Sequence, residues 1–198
     1  IGSRDVPALT PGTSDAISTV LTVPSNAATG TLWVIAKADG PNAFSEPNEV
    51  NNMRYASVRI GPDLAVATLT VPAVAGPGST INVSETIKNQ GAGHSAASST
   101  RFYLSGNLTV DAADESLGTR SVGALAPGDS SVGTITVTIP TNASSGTFYV
   151  IAVADDGNAV PESNETNNNR STSVRIGADL YVPGSSSPPR GASGGTIT

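Results

Sequence analysis

One odd, Asn-rich phrase is spelled twice. "EPNEVNNMRYASVRIGPDL" at 46–64 returns as "ESNETNNNRSTSVRIGADL" at 162–180, 116 positions later. Sliding the 198-residue sequence by 116 lays 1–82 on 117–198 without a gap, with 39 of 82 positions identical. "IGSRDVPALTPG" falls on "LGTRSVGALAPG", and "TVPSNAATGTLWVIAKADG" falls on "TIPTNASSGTFYVIAVADD". Such fidelity constrains the fold more than any single motif, because both copies must reach the same structure. It also sets the phase. One complete unit occupies 62–177, residues 1–61 are the C-terminal half of a preceding unit, and 178–198 are the first part of a following one. Together the partial units lack a counterpart of 83–116 and cannot complete each other. The chain therefore reads as a window on a longer array.

Within the complete unit the signal is period-2 alternation. It predicts strands at 63–71, 79–89, 99–105, 116–125, 132–140, 146–155 and 170–177. Composition agrees. Charged residues make up 13%, Gly and Pro number 21 and 14, and Val, Thr, Ser and Asn fill the space between. β-branched residues suit a pleated surface, and Gly, Pro and Asn punctuate it. The expected fold is all-β, with tandem immunoglobulin-like antiparallel β-sandwiches of about seven strands per 116-residue unit. Phe102 and Leu104 should face inward, and "TFYVIAVAD", apolar on both phases, should lie mid-sheet. Glu85 shares the phase of Ile81, Val83 and Ile87. It reads either as a functional carboxylate or, preferably, as a bulge or an edge residue paired with Lys or Arg. Only about two residues separate "SVRIG" from the next strand, too few for a flexible coil. Successive units should hold a restricted orientation.

Several function classes drop out. A net charge of −6 repels phosphate backbones, and no basic patch interleaves with aromatics, so nucleic acid is not an expected partner. No apolar run is long enough to span a membrane. With no Cys and a single loop histidine, His94, the usual nucleophile–base arrangements cannot be assembled, so no enzyme is expected. Low charge and the absence of Cys suit a bacterial extracellular or cell-surface protein.

The unit resembles the CARDB family (cell-adhesion-related domain found in bacteria). The matching stretches are "PDLAV", "TIKNQGAG" (86–93), "RFYLS" (101–105), "LAPGDS" (125–130) and "YVIAVADDGNAVPESNETNN" (149–168). The third opening departs from the pattern, with "PGSSSPPRGASGG" in place of "ATLTVPAVAGPG". The resemblance implies an immunoglobulin-like sandwich and a role in adhesion or surface architecture, without naming a ligand.

The Asn-rich phrase has two compatible readings. Asp and Asn bond nearby backbone and tolerate left-handed conformations, so the phrase can build a long turn. It also gathers hard oxygens of the kind Ca²⁺ takes. The candidate metal ligands are Asp155, Asp156, Asn158, Glu162, Asn164 and Glu165, with a partial earlier copy at Asp39, Asn42, Glu46, Asn48 and Glu49. Three functions remain open. The first is a structural repeat segment of a bacterial extracellular filament or cell-surface stalk, touching neighbouring repeats and identical chains. The others are a Ca²⁺-stiffened module that binds a surface glycan or protein, and accessory domains of a secreted hydrolase.

Overall fold

The computed structural model describes residues 1–178. The expected opening of a following unit therefore lies, from residue 179 on, outside the described residues. Among these the chain forms ten strands and no helix: β1 (Gly30–Lys37), β2 (Met53–Ile60), β3 (Leu64–Thr70), β4 (Val74–Ala75), β5 (Thr80–Asn89), β6 (Ser98–Ser105), β7 (Glu115–Val122), β8 (Ser130–Thr138), β9 (Gly146–Ala154) and β10 (Asn169–Ile176). From β3 onward they make two sheets, one ordered β4-β10-β9-β6-β7 and one ordered β3-β5-β8. This is the expected immunoglobulin-like sandwich. Each of the seven strands read from alternation falls within two or three residues of an observed one.

The alternation works as a burial code. Along β5, Ile81, Val83, Ile87 and Asn89 are buried while Thr80, Asn82 and Lys88 are exposed. On β6, Phe102 and Leu104 turn into the core as expected. β9 lies between β10 and β6, and its two phases are both used. Val150, Ala152 and Ala154 join the core, while Ile151 is buried on the opposite face. The core is aliphatic, with Phe102 its only fully buried aromatic ring among the described residues.

β4 is the strand that alternation missed. Pro72 ends pairing with β5, and the chain crosses to the other sheet to run parallel to β10. There the amides of Arg175 and Gly177 donate to the carbonyls of Ala73 and Ala75 at 2.9 and 3.0 Å. Two residues are too few for a periodic signal.

Glu85 is fully inside, 1% exposed on the middle strand of the three-stranded sheet, and not at an edge. Its partner is Arg120 of β7, whose Nε donates to Glu85 Oε1 across the gap between the sheets. Arg120 also reaches Ser131 Oγ at 3.1 Å. Gly133, opposite Glu85 on β8, makes room for it. A Cβ there would sit 2.5 Å from the Arg120 Cδ and Nε.

The hairpin β1–β2 repeats β9–β10 in register. Gly30 faces Ile60 as Gly146 faces Ile176. Among the described residues its two strands pair only with each other. Residues 14–22, aligned with β8, form no strand. Among the described residues β8 pairs only with β5, and no counterpart of β5 accompanies the hairpin. A hairpin needs only its local turn, whereas a strand whose partner is distant needs that partner.

Candidate functional site

Three residues, Gly61–Pro62–Asp63, separate β2 from β3. Loops of the sandwich that follows grip them on every side. The Gly61 carbonyl accepts from Gly93 N at 2.9 Å, the Pro62 carbonyl from Ser163 N at 2.8 Å, and the Asp63 carbonyl from Gln90 N at 2.8 Å. The Asp63 amide donates to Asn89 Oδ1 at 3.1 Å, and the Asp63 Oδ1 accepts from Asn167 Nδ2 at 2.8 Å. The amide of Leu64, the first residue of β3, donates to Glu162 Oε2. Backbone groups that a linker would leave to water are thus paired inside the protein, as buried ones must be.

Asn89 is the hub of this clasp. It ends β5 on the inward phase and is fully buried. Its Oδ1 accepts from Asp63 N and from Gly91 N, both at 3.1 Å. Its Nδ2 donates to the carbonyls of Gly93 at 2.8 Å and Leu125 at 3.1 Å. Two acceptor and two donor bonds use the full capacity of the amide. The glycines beside it are set by close approach. A Cβ on Gly91 would lie 2.5–2.6 Å from Gly61, Pro62 and Asp63 backbone atoms, and one on Gly93 would lie 2.8 Å from Gly61. The motif "NQGAG" is therefore the seat on which the incoming linker rests. His94 beside it is exposed.

The loop 155–168 supplies the other jaw. Asp155 and Asn158 adopt φ of +46° and +49°, the left-handed region that Asp and Asn tolerate. Asn158 N donates to the Asp155 carbonyl at 2.7 Å, and Val160 N to Asp155 Oδ2 at 2.8 Å. Glu165 Oε1 accepts from Glu162 N, and Asn164 Oδ1 from the Thr166 hydroxyl, each at 2.8 Å. Asp156 faces away, toward Tyr103 OH at 2.7 Å and Arg101 Nε at 3.2 Å. Burial, then the bond to Asp156, raises the Tyr103 pKa above its usual value.

The earlier copy builds the same turn. Asp39 and Asn42 have φ of +43° and +56°. Asp39 accepts from Ala43 N and Phe44 N at 2.9 Å, Glu49 Oε1 from Glu46 N at 2.8 Å, and Asn48 Oδ1 from Val50 N at 3.1 Å. Of the expected ligands, Asp39, Asn48, Glu49, Asn164 and Glu165 accept bonds within their own loops, Asp155 does so through Oδ2, and Asp156 and Glu162 reach residues outside the loop. Among the described residues no group of three or more His, Cys, Asp or Glu stands ready to hold a metal.

Glu162 carries the strongest electrostatic signature. It is buried with Oε2 on Leu64 N and Oε1 on Asn168 Nδ2 at 3.0 Å. Desolvation, assisted by the charges of Glu165 and Asp155, raises its pKa from 4.5 to about 7. Glu162 is among the candidate metal ligands of the sequence, and its carboxylate also holds the joint through Leu64 N. Asn89 had no assigned role in the sequence, although its inward phase on β5 marks it. Among the described residues no helix is long and apolar enough to cross a membrane.

The CARDB family model matches residues 61–172, more than half of the chain. Among solved structures, the chain is similar to the CARDB domain of a Pyrococcus furiosus protein in complex with di-metal ions. Identity is 26% over 59% of this chain and 89% of that one, at a TM-score of 0.46. A domain of a protein described as a cell-surface protein from Methanosarcina acetivorans gives 23% identity, 62% and 98% coverage, and a TM-score of 0.46. A Listeria innocua β-glucosidase in complex with glucose gives 17% identity over 61% of this chain and 17% of that one, at a TM-score of 0.42. No curated protein matches the chain. The chain belongs to the CARDB family, a cell-surface and adhesion-related family of non-catalytic domains.

Proposed function

We propose that this chain is a spacer segment of an extracellular filament or cell-surface stalk, whose output is a fixed distance and direction. The observation that carries this is the joint. Three residues link hairpin to sandwich, and each backbone carbonyl among them is held by a loop of the sandwich. The phrase that builds this loop, with its closing "SVRIG", occurs at both ends of a 116-residue period.

Residues 1–61 are then the C-terminal half of a preceding unit. Its hairpin face bearing Leu32, Val34, Val58 and Ile60 corresponds to Phe148, Val150, Val174 and Ile176 of the complete sandwich. There the last three are buried and Phe148 packs against the core. The segment that covers this face would be the front half of a like unit. Neighbouring repeats are the first partners on this reading, and identical chains packed side by side are the second.

The test is electron microscopy of the native full-length protein. Stiff fibres or rods with an axial period of roughly 30–40 Å, the length of strands of this size, are the expected result. Beads that swing freely about their joints would overturn the reading.

A further inference from the structure

At one end of the sandwich the inner face of the large sheet closes in a row of three residues. Thr100 of β6 is the register partner of Ala154 of β9. The Ala154 amide donates to the Asn168 carbonyl at 2.8 Å, which puts Asn168 on Ala154's other side. Neighbouring strands lie about 4.8 Å apart, so the small side chain of Ala154 leaves a space between its two polar neighbours.

Three oxygens here are cut off from solvent and accept no hydrogen bond from any described residue: Thr100 Oγ1, Asn168 Oδ1 and Asp155 Oδ1. Thr100, Asp155 and Asn168 are each more than nine-tenths buried. A buried polar atom without a partner bears its whole desolvation cost, so each such atom calls for a water or an ion.

The charge at this end distinguishes the two. Glu162 bonds to Asn168 Nδ2, and it feels the negative charges of both Asp155 and Glu165. Neither Asp155 nor Glu162 has an ion-pair partner among the described residues. A water could hydrogen-bond all three oxygens but would leave this charge standing. A cation meets both needs.

We propose that this end of the sandwich binds a hard cation, Ca²⁺ by its charge and its preference for oxygen. The ligands are Asp155 Oδ1, Asn168 Oδ1, Thr100 Oγ1 and the free lone pairs of Glu162, with water completing the six to eight oxygens Ca²⁺ takes. The site differs from a loop site built of exposed acids, because two of its four side chains are neutral and all are buried. With only two carboxylates its affinity belongs in the range of extracellular modules, about 0.1–1 mM. The ion would sit behind the loop that carries Glu162 and Ser163, and so would brace the joint from within.

The experiment is thermal melting and titration calorimetry of the whole chain in EDTA, in MgCl₂ and in a CaCl₂ series. Wild type should gain roughly 5 °C at tenfold excess over Kd and give a saturable heat. Thr100→Val, which keeps the volume of the side chain, and Asp155→Asn should each lose that gain. Should Asp155→Asn fail to fold, Thr100→Val decides alone. The proposal is overturned if wild type melts identically in EDTA and CaCl₂ with no heat of binding, for then water fills the site. It is equally overturned if both variants keep the full response, which would place the ion elsewhere.

Discussion

Arg120→Met should be among the most damaging single substitutions away from the aliphatic core. The Glu85 side chain has no solvent exposure and that of Arg120 only 17%, so their interaction is poorly screened. Removing the guanidinium leaves a carboxylate enclosed by Val83, Ile87 and the facing sheet, with no route to water. Breaking such a pair costs about 3–5 kcal/mol. With an urea m-value of about 1–3 kcal/mol/M, the midpoint should fall by about 2 M. Met keeps the length and most of the apolar stem, so little of the loss comes from packing. The control is Arg120→Met combined with Glu85→Leu. Replacing a whole buried pair by apolar residues is commonly neutral or stabilising by about 1–4 kcal/mol. The double variant should therefore recover most or all of the loss. Urea unfolding followed by tryptophan-independent far-ultraviolet circular dichroism reads both. A loss below about 1 kcal/mol in the single variant, or a double variant no better than the single, would refute the reasoning.

Other substitutions test the clasp. Gly93→Ala puts a methyl 2.8 Å from the Gly61 backbone; the linker must lift, and limited proteolysis should then cut between residues 60 and 64 where wild type resists. Asn89→Ala strands the amides of Asp63 and Gly91 and the carbonyl of Gly93 at the base of the joint, while the Leu125 carbonyl keeps its bond from Ser95 N; at about 1–3 kcal/mol for each group left buried and unpaired, the unit should lose about 3 kcal/mol or more by urea titration. Glu162 gives a pH signature. Its folded pKa of about 7 lies above the ordinary 4.5, so the folded state holds the proton more tightly than the unfolded chain. The stability it contributes is fully present below about pH 4.5 and is lost as pH rises through about 7. In chelator, Glu162→Gln should flatten this fall and raise the melting temperature at pH 8 relative to wild type. An unchanged pH profile would show that Glu162 is not the titrating group.

Most of the fold could be read from period-2 burial, because β5, β6, β8 and β9 each pack one whole phase against the facing sheet. Residues that leave this code were harder to place. β4 is two residues long and pairs with a strand a hundred positions away, so no local pattern encodes it. Glu85 stood out as polar on an apolar phase, but its partner Arg120 lies on another strand that reads as an ordinary polar edge. The loop acids were legible as a group and not as individuals. Their composition suits both turns and cations, and only the direction of each carboxylate separates the uses. Asp156 turned outward to Tyr103, Glu162 inward to Leu64, and Glu165 to its own loop. The clasp itself was half visible. A two-residue joint implied restricted motion, whereas the seat at Asn89, Gly91 and Gly93 emerges only when the chain brings residue 61 beside residue 93.

The most direct measurement is amide hydrogen exchange across the joint, residue by residue, in the intact chain. Asp63 and Leu64 donate to buried side chains, and Gly93 and Ser163 donate to linker carbonyls. A joint gripped in this way predicts protection of these four amides comparable to that of Val83 or Val150 in the core strands. Exchange at the rate of an open loop, with the core strands still protected, would mean that the linker swings free and would contradict a stiff connection between units.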